Sequence, residues 1–450
     1  MSNERQESKL IRSLGFWDLM GIAIGQIIGV GIMSSTGVAI GMTGSGVVLA
    51  FLLSPILVIM CIYPFAILGS AAPTTGGPYR YVSRIVGKGA GMVYLLLHIT
   101  TNLMIATFAL SFASYLASVV TGLNQHLVAM VVLTVFYITN LMGTKSAALM
   151  NKIISVLMIG GLMLFVIFGM PKVDYGYVLS PQNLFKNGGF QFLSAIALLS
   201  SATSGAQVVA ELGGETKNPG KTIPKVMIIS TFAVGAFYVL LGMVACGILP
   251  LETVANQPLS LVAKEIMPTP CFYVFVFGAA LGATASTLNA TLSWVTKPIL
   301  VACDDGMLPK WFGSVSKNGV PYKLLTIYYC FGMIPLALKF DLAAIQKFTV
   351  ANSQLSRLFM CVALFIFAAK HADVLENCPL KMSKKKAQVI AVLGFLVLLV
   401  LSGSLLLNLS VYAIGFLAAL VVIVVIYTNT YAKHIVLEND LLIDYTTKDK

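Results

Sequence analysis

The sequence predicts an all-α integral membrane protein of about twelve transmembrane helices, the first and sixth of them discontinuous. Three observations predict it. The 450 residues are 58% hydrophobic and only 10% charged, with a mean hydropathy of +0.90, which is too apolar for a soluble chain of this size. The apolar residues gather into runs of roughly 17 to 30, each enough at 1.5 Å per residue to cross a hydrocarbon core of roughly 30 Å. The basic residues alternate from loop to loop, as a multi-pass chain requires.

The runs fall near 17–40, 46–68, 90–119, 126–142, 153–170, 190–211, 226–249, 271–301, 324–339, 343–369, 387–407 and 409–430. With residues 1–16 placed in the cytoplasm, 22 of the 29 Lys and Arg lie in loops on that side and five on the other. Lys297 and Arg357 remain inside spans. The bias predicts that both termini, including the tail 431–450, are cytoplasmic and that the membrane is the cell membrane. The formal charge of +12 is spread over short loops and forms no patch for nucleic acid. The first sixteen residues are polar and carry no cleavage pattern, so the first span is expected to stay in the bilayer. Seven scattered cysteines without a C-x-x-C pair read as packing residues.

Gly25 to Met33, GQIIGVGIM, sets three glycines inside the first span. Gly weakens a helix interior by roughly 1 kcal/mol relative to Ala, so a local break is expected. Backbone groups stranded by such a break must line a cavity or meet a polar ligand. A second interruption is expected at Ser201 to Gly205, SATSG, in the sixth span. The second break falls five spans after the first, an odd number, so the sixth span crosses in the opposite direction to the first. Spans 1–5 (17–170) and spans 6–10 (190–369) then form a 5+5 inverted repeat, with two further C-terminal helices over 387–430. In the third span Tyr94, His98 and Asn102 share one helical face. Each is either a substrate contact or a tie between helices, and His98 is either a proton carrier or a satisfied interior residue.

Four motifs carry a family resemblance. GQIIGVGIM is similar to the first-span glycine motif of the amino acid-polyamine-organocation transporters. GGPYRYV (76–82), GETKNPGKTIPK (214–225) and CDDGMLPKWFGSVSKNGVP (303–321) resemble three of their loops, in the same order. The resemblance implies a secondary active amino acid transporter, a permease or antiporter with the LeuT-like fold, working by alternating access and having no catalytic residues.

At the first break the amides of Val30, Gly31 and Ile32, flanked by Ile28 and Gly29, would receive a carboxylate at the positive end of a half-helix. At the second, carbonyls around Ser201, Ala202, Thr203, Ser204 and Gly205 would receive an ammonium. An α-amino acid has both groups. Where relatives carry a bulky aromatic or an acidic residue, the resemblance aligns Ser201 and Gln207, which enlarges the pocket and removes a partner for a basic substrate. A neutral amino acid is the first expectation; the alternatives are an antiporter for an acidic amino acid or for an amine or polyamine. Arg357, mid-span, would either pair with Glu211 or receive a substrate carboxylate. Lys297 would snorkel to the interface. No cofactor motif is present, and the coupling ion is sodium or a proton. Met158 replaces a lysine that couples protons in some relatives, while Gly25 and Ile28 carbonyls with Ser286 and Thr287 hydroxyls would suit sodium. Exchange of one amino acid for another needs no ion. A membrane enzyme is disfavoured by the lack of H-E-x-x-H and G-x-S-x-G, and a pore by the lack of a charged ring.

Overall fold

A computed structural model describes residues 15–72, 77–142, 147–211, 217, 219–316 and 320–437. Among them the regular structure is helical, with no strand. Eight runs are long and apolar enough to cross a membrane, and three shorter apolar helices accompany them.

The first expected span is two helices, α1 (Phe16–Ile27) and α2 (Val30–Thr43), separated by extended backbone at Ile28 and Gly29. The second is α3 (Val47–Ala71). The third is α4 (Lys88–Thr101) and α5 (Met104–Ala117), which the sequence reading took as one continuous helix. The Asn102 side-chain amide donates to the His98 carbonyl at 2.7 Å while its backbone N–H is shared between His98 and Ile99. That local competition for the helical ladder turns the chain there. Next come α6 (Gln125–Met142), α7 (Ala147–Gly169), and the sixth span as α8 (Gly188–Ala202) and α9 (Val208–Glu211).

The seventh span, α10 (Pro219–Cys246), begins earlier than the hydropathy suggests. Pro219 starts it, because the first turn needs no N–H from that residue. The rest of GETKNPGKTIPK before Pro219 lies, except for Lys217, outside the described residues. The eighth span is a π-helical stretch, Val274–Leu281, followed by α11 (Gly282–Trp294) and α12 (Lys297–Asp304). Then follow α13 (Tyr322–Ala337), α14 (Leu342–Lys370), α15 (Lys384–Leu406) and α16 (Val411–Thr430). The GGPYRYV segment, read as a loop, is helical from Gly77 and runs into a π-helical turn at Val82–Val86.

α3 packs on α10 and α8, α2 on α8 and α10, α1 on α10, and α9 on α3. The π-helical stretch lies against α7 as α4 lies against α14, and α11 meets α5 as α13 meets α6. α6 and α16 turn large apolar side chains such as Val131, Val135, Phe416 and Ile423 outward, as lipid-facing helices do. All seven cysteines are free thiols, five of them buried.

The two ends of the molecule are built differently. On the side opposite the N-terminus, segments 175–188 and 251–259 close over α2. Asn256 N–H donates to Gly37 O, the Asn187 amide to Gly41 O and Met42 O, and Thr43 to Leu184 O. Tyr115 Oη donates to Met33 O at 2.8 Å and accepts from Leu259 N–H. Lys186 and Glu252 form an exposed ion pair, and that ammonium holds the Glu252 carboxyl below its usual range.

On the N-terminal side two of the sequence motifs meet. Arg84 grips Asp305 bidentately at 2.7 and 2.8 Å, with both side chains nearly buried. Tyr79 packs beside the pair; burial, reinforced by the Asp305 carboxylate, pushes its hydroxyl pKa up. Lys88 Nζ donates to the Ala432, Lys433 and Ile435 carbonyls, fastening the end of α16.

Candidate substrate site

The first break is Ile28–Gly29. Gly29 is extended (φ −142°, ψ −152°), and a Cβ there would stand 3.0 Å from Thr287 Oγ1, a contact that only a shift of that side chain would relieve. Two of the backbone groups beside it find side-chain partners: Ile27 O accepts from Tyr238 Oη at 3.0 Å, and Val30 N–H donates to Thr287 Oγ1 at 3.4 Å. Unwinding inside an apolar span is tolerated because polar side chains replace lost helical bonds. Val30, Gly31 and Ile32 already form the first turn of α2, with Ile32 fully buried. Their amides face the break at a helix N-terminus, as expected from sequence, but Val30 is partly engaged by Thr287.

The second break is Thr203–Gln207, two residues later than expected, so Ser201 and Ala202 are still helical. Gly205 has φ +147°, a conformation that disfavours any side chain. Gln207 Oε1 accepts from Gly205 N–H at 2.9 Å, so this amide clasps its own loop. The carbonyls here are less free than the sequence reading supposes. Thr203 N–H and Oγ1 both donate to Leu199 O, Thr203 Oγ1 also reaches Ser200 O, and Ser204 Oγ donates to Ser201 O at 3.0 Å. Hydroxyls one turn away saturate a helix end before a ligand arrives.

The two breaks interlock. A Cβ on Gly31 would lie 2.9 Å from Ala202 Cα, and one on Gly205 would lie 2.8 Å from the backbone of Gln26. The start of α2 therefore rests on the end of α8, and the loop after α8 rests on the end of α1. Gly31, Ser201, Ser204, Gly205 and Gln207 stay partly exposed at this crossing.

Arg357 reaches the crossing from α14. It is 7% exposed; Nη2 donates to Ser204 Oγ at 3.0 Å, and Nη1 is buried with no partner among the described residues. Cys61 and Tyr94 are close enough to interact with it electrostatically. Of the polar face on the third span, Tyr94 is thus placed near Arg357. Its companions on the polar face are otherwise occupied: His98 Nε2 donates to Val295 O at 3.1 Å, tying the third span to the eighth, and Asn102 is spent on the kink. The Glu211 side chain, offered as a partner for Arg357, lies outside the described residues.

Thr287, one of the residues offered for sodium, donates to Ala283 O and leans on the first break. Ser286 precedes it on α11, and Gly25 sits on the last turn of α1 with open space beside it. Among the described residues no cluster of three His, Cys, Asp or Glu could hold a metal. Met158 is buried, and Lys297 is exposed.

Sequence reasoning missed Tyr238, Tyr115 and Gln354, whose Nε2 donates to Ser200 Oγ at 2.5 Å. Gln354 stands three residues before Arg357, so a polar pair on one face of the tenth span was the available signal. The tyrosines gave none, being amphipathic residues at home in any span.

The profile of the amino acid permease family matches residues 18–438. This chain belongs to the amino acid permease family. The permease is 26% identical to an uncharacterized protein of Methanocaldococcus jannaschii, over 80% of its own length and 82% of that protein's. It is 28% identical to the branched-chain amino acid permease BcaP of Bacillus subtilis, over 69% and 70% of the two chains. It is also similar to the cadaverine/lysine antiporter of Escherichia coli, at 25% identity over 66% and 72%. The permease is therefore a multi-pass membrane protein of amino-acid transport, in a family of transporters.

Proposed function

We propose that the permease is a secondary active transporter of α-amino acids that holds its substrate at the crossing of the two broken helices. One observation carries the reading: the breaks in the first and sixth spans touch reciprocally, Gly31 against Ala202 and Gly205 against Gln26. The substrate carboxylate would take the amides of Gly31 and Ile32, and its ammonium the carbonyls of Ala202 and Thr203. The packing supports twelve spans in two inverted halves, 17–170 and 190–369, because exchanging the halves maps the helix contacts onto one another. The basic-residue bias supports a cytoplasmic N-terminal side in the cell membrane.

With that orientation the molecule is closed outside and open inside. Of the fourteen residues of α2 twelve are buried, whereas α1 exposes Trp17, Asp18, Gly21 and Gln26. One closed end and one open end is what an alternating-access carrier needs in each of its states. Among the described side chains no carboxylate stands at the crossing to balance a basic side chain, which favours neutral amino acids over cationic ones, amines and polyamines. Coupling to sodium through Gly25, Ile28, Ser286 and Thr287, to a proton, or exchange without an ion are compatible with this arrangement.

Counterflow tests the function. Proteoliposomes preloaded with an unlabelled amino acid should accumulate the labelled form transiently and saturably. Unsaturable leak, or no uptake of any of the twenty amino acids, would remove the proposal.

A further inference from the structure

We propose that Arg357 forms a second carboxylate site beside the two breaks, so that the preferred substrate is an α-amino acid with an acidic side chain. This rests on the preceding reading, in which the breaks hold the α-carboxylate and α-ammonium, and narrows its cargo.

A guanidinium used only to pack helices saturates its donors on carbonyls or a carboxylate. Arg357 does neither. Its one hydrogen bond among the described residues goes to the neutral Ser204 hydroxyl, and the buried Nη1 has no partner. The Ser204 hydroxyl donates its own hydrogen bond to Ser201 O, so the chain Arg357–Ser204–Ser201 fixes the guanidinium at the carbonyl end of α8. A cation there is favoured by the helix dipole. It also repels a substrate ammonium, so an ammonium on the Ala202 and Thr203 carbonyls would take the side of this helix end away from Arg357. The end of the substrate that faces Arg357 is therefore the end remote from its ammonium.

Charge completes the argument. Among the described residues the groups that interact with the guanidinium are Ser204, Cys61 and Tyr94, and none of them is a carboxylate. A buried positive charge with no counter-ion among the described residues is a costly feature in a membrane interior, and it marks function by default. A planar fork with a vacant edge matches a carboxylate bidentately. Ser204, Gly205 and Gly31 stay partly exposed, which brings a ligand at the crossing next to the guanidinium, whose Nη1 is itself buried. A side-chain carboxylate arriving with the substrate would satisfy Nη1 and neutralise the site in one step.

The test uses the full-length permease, with L-glutamate and L-aspartate each measured against its own amide. Wild type should bind each acid about 100-fold more tightly than the amide, the effect of one desolvated charge pair. In Arg357→Gln the two affinities should converge to within about threefold, mainly by loss of the acid, and Arg357→Lys should fall between. Equal wild-type affinity for acid and amide would overturn the proposal, as would full discrimination surviving in Arg357→Gln. If Arg357→Gln fails to fold, the wild-type ratio and Arg357→Lys decide the matter. Binding of neutral amino acids without acidic ones removes only this inference; binding of no amino acid removes the transport reading beneath it.

Discussion

The two halves of the first span are built from similar material and meet opposite surroundings. Both α1 and α2 are short, apolar and rich in glycine. On α2, a Cβ at Gly37 would lie 2.0 Å from Gln257 O and one at Gly41 would meet Asn256. On α1, Gly21 and Gly25 have nothing within 4 Å. The same residue type is close-packed in one half and has open space beside it in the other. The contrast teaches that the small residues of α2 let segments 175–188 and 251–259 close over it as a lid, whereas those of α1 carry no such packing.

The comparison yields predictions in descending order of effect. Gly31→Val places branched atoms against the Ala202 backbone and should abolish substrate binding by at least about 100-fold, because no side chain can yield there. Normal affinity in an isothermal titration would show that the crossing is not the site. Gly21→Cys and Gly41→Cys should differ at least about tenfold in labelling by a charged maleimide, the α1 position reacting faster. Equal rates would erase the difference between the halves. Asp305→Asn removes the charge that the nearly buried Arg84 grips bidentately and should cost about 3 kcal/mol of stability, read as a lowered unfolding temperature. Tyr115→Phe removes the bridge from Met33 O to Leu259 N–H and should loosen the lid by about 1 kcal/mol, seen as faster amide exchange over residues 255–260.

The smallest effect is the exposed Lys186–Glu252 pair. The folded-state pKa of Glu252 is depressed, so its contribution is present above the ordinary carboxylate value and lost as pH falls through the depressed one. Glu252→Gln should therefore leave the melting temperature nearly unchanged, with what difference there is vanishing in acid. A large shift at neutral pH would mean that the lid depends on this pair.

Much of the fold was legible because hydrocarbon imposes a simple rule: every backbone group must be satisfied within a span or at a polar site. The expected apolar runs each coincide with one helix or a few consecutive ones, and the first interruption falls inside GQIIGVGIM. The second was legible to within two residues, since Thr203 and Ser204 bind carbonyls of the preceding turn and prolong α8. The Asn102 kink was hidden, because an asparagine on a polar face does not reveal whether its amide will turn back on its own helix.

Composition, the run lengths, the glycines of the first span and the alternation of basic residues determined a multi-pass helical protein with a broken first helix. Those are local properties, set by the transfer of each segment from water to lipid. Only the tertiary structure decided that Gly31 faces Ala202, that Gly205 faces Gln26, that Arg84 finds Asp305 and that Arg357 donates to Ser204 while its Nη1 has no partner among the described residues. Such pairings depend on side-chain contacts between elements far apart in the chain, and no periodicity records them.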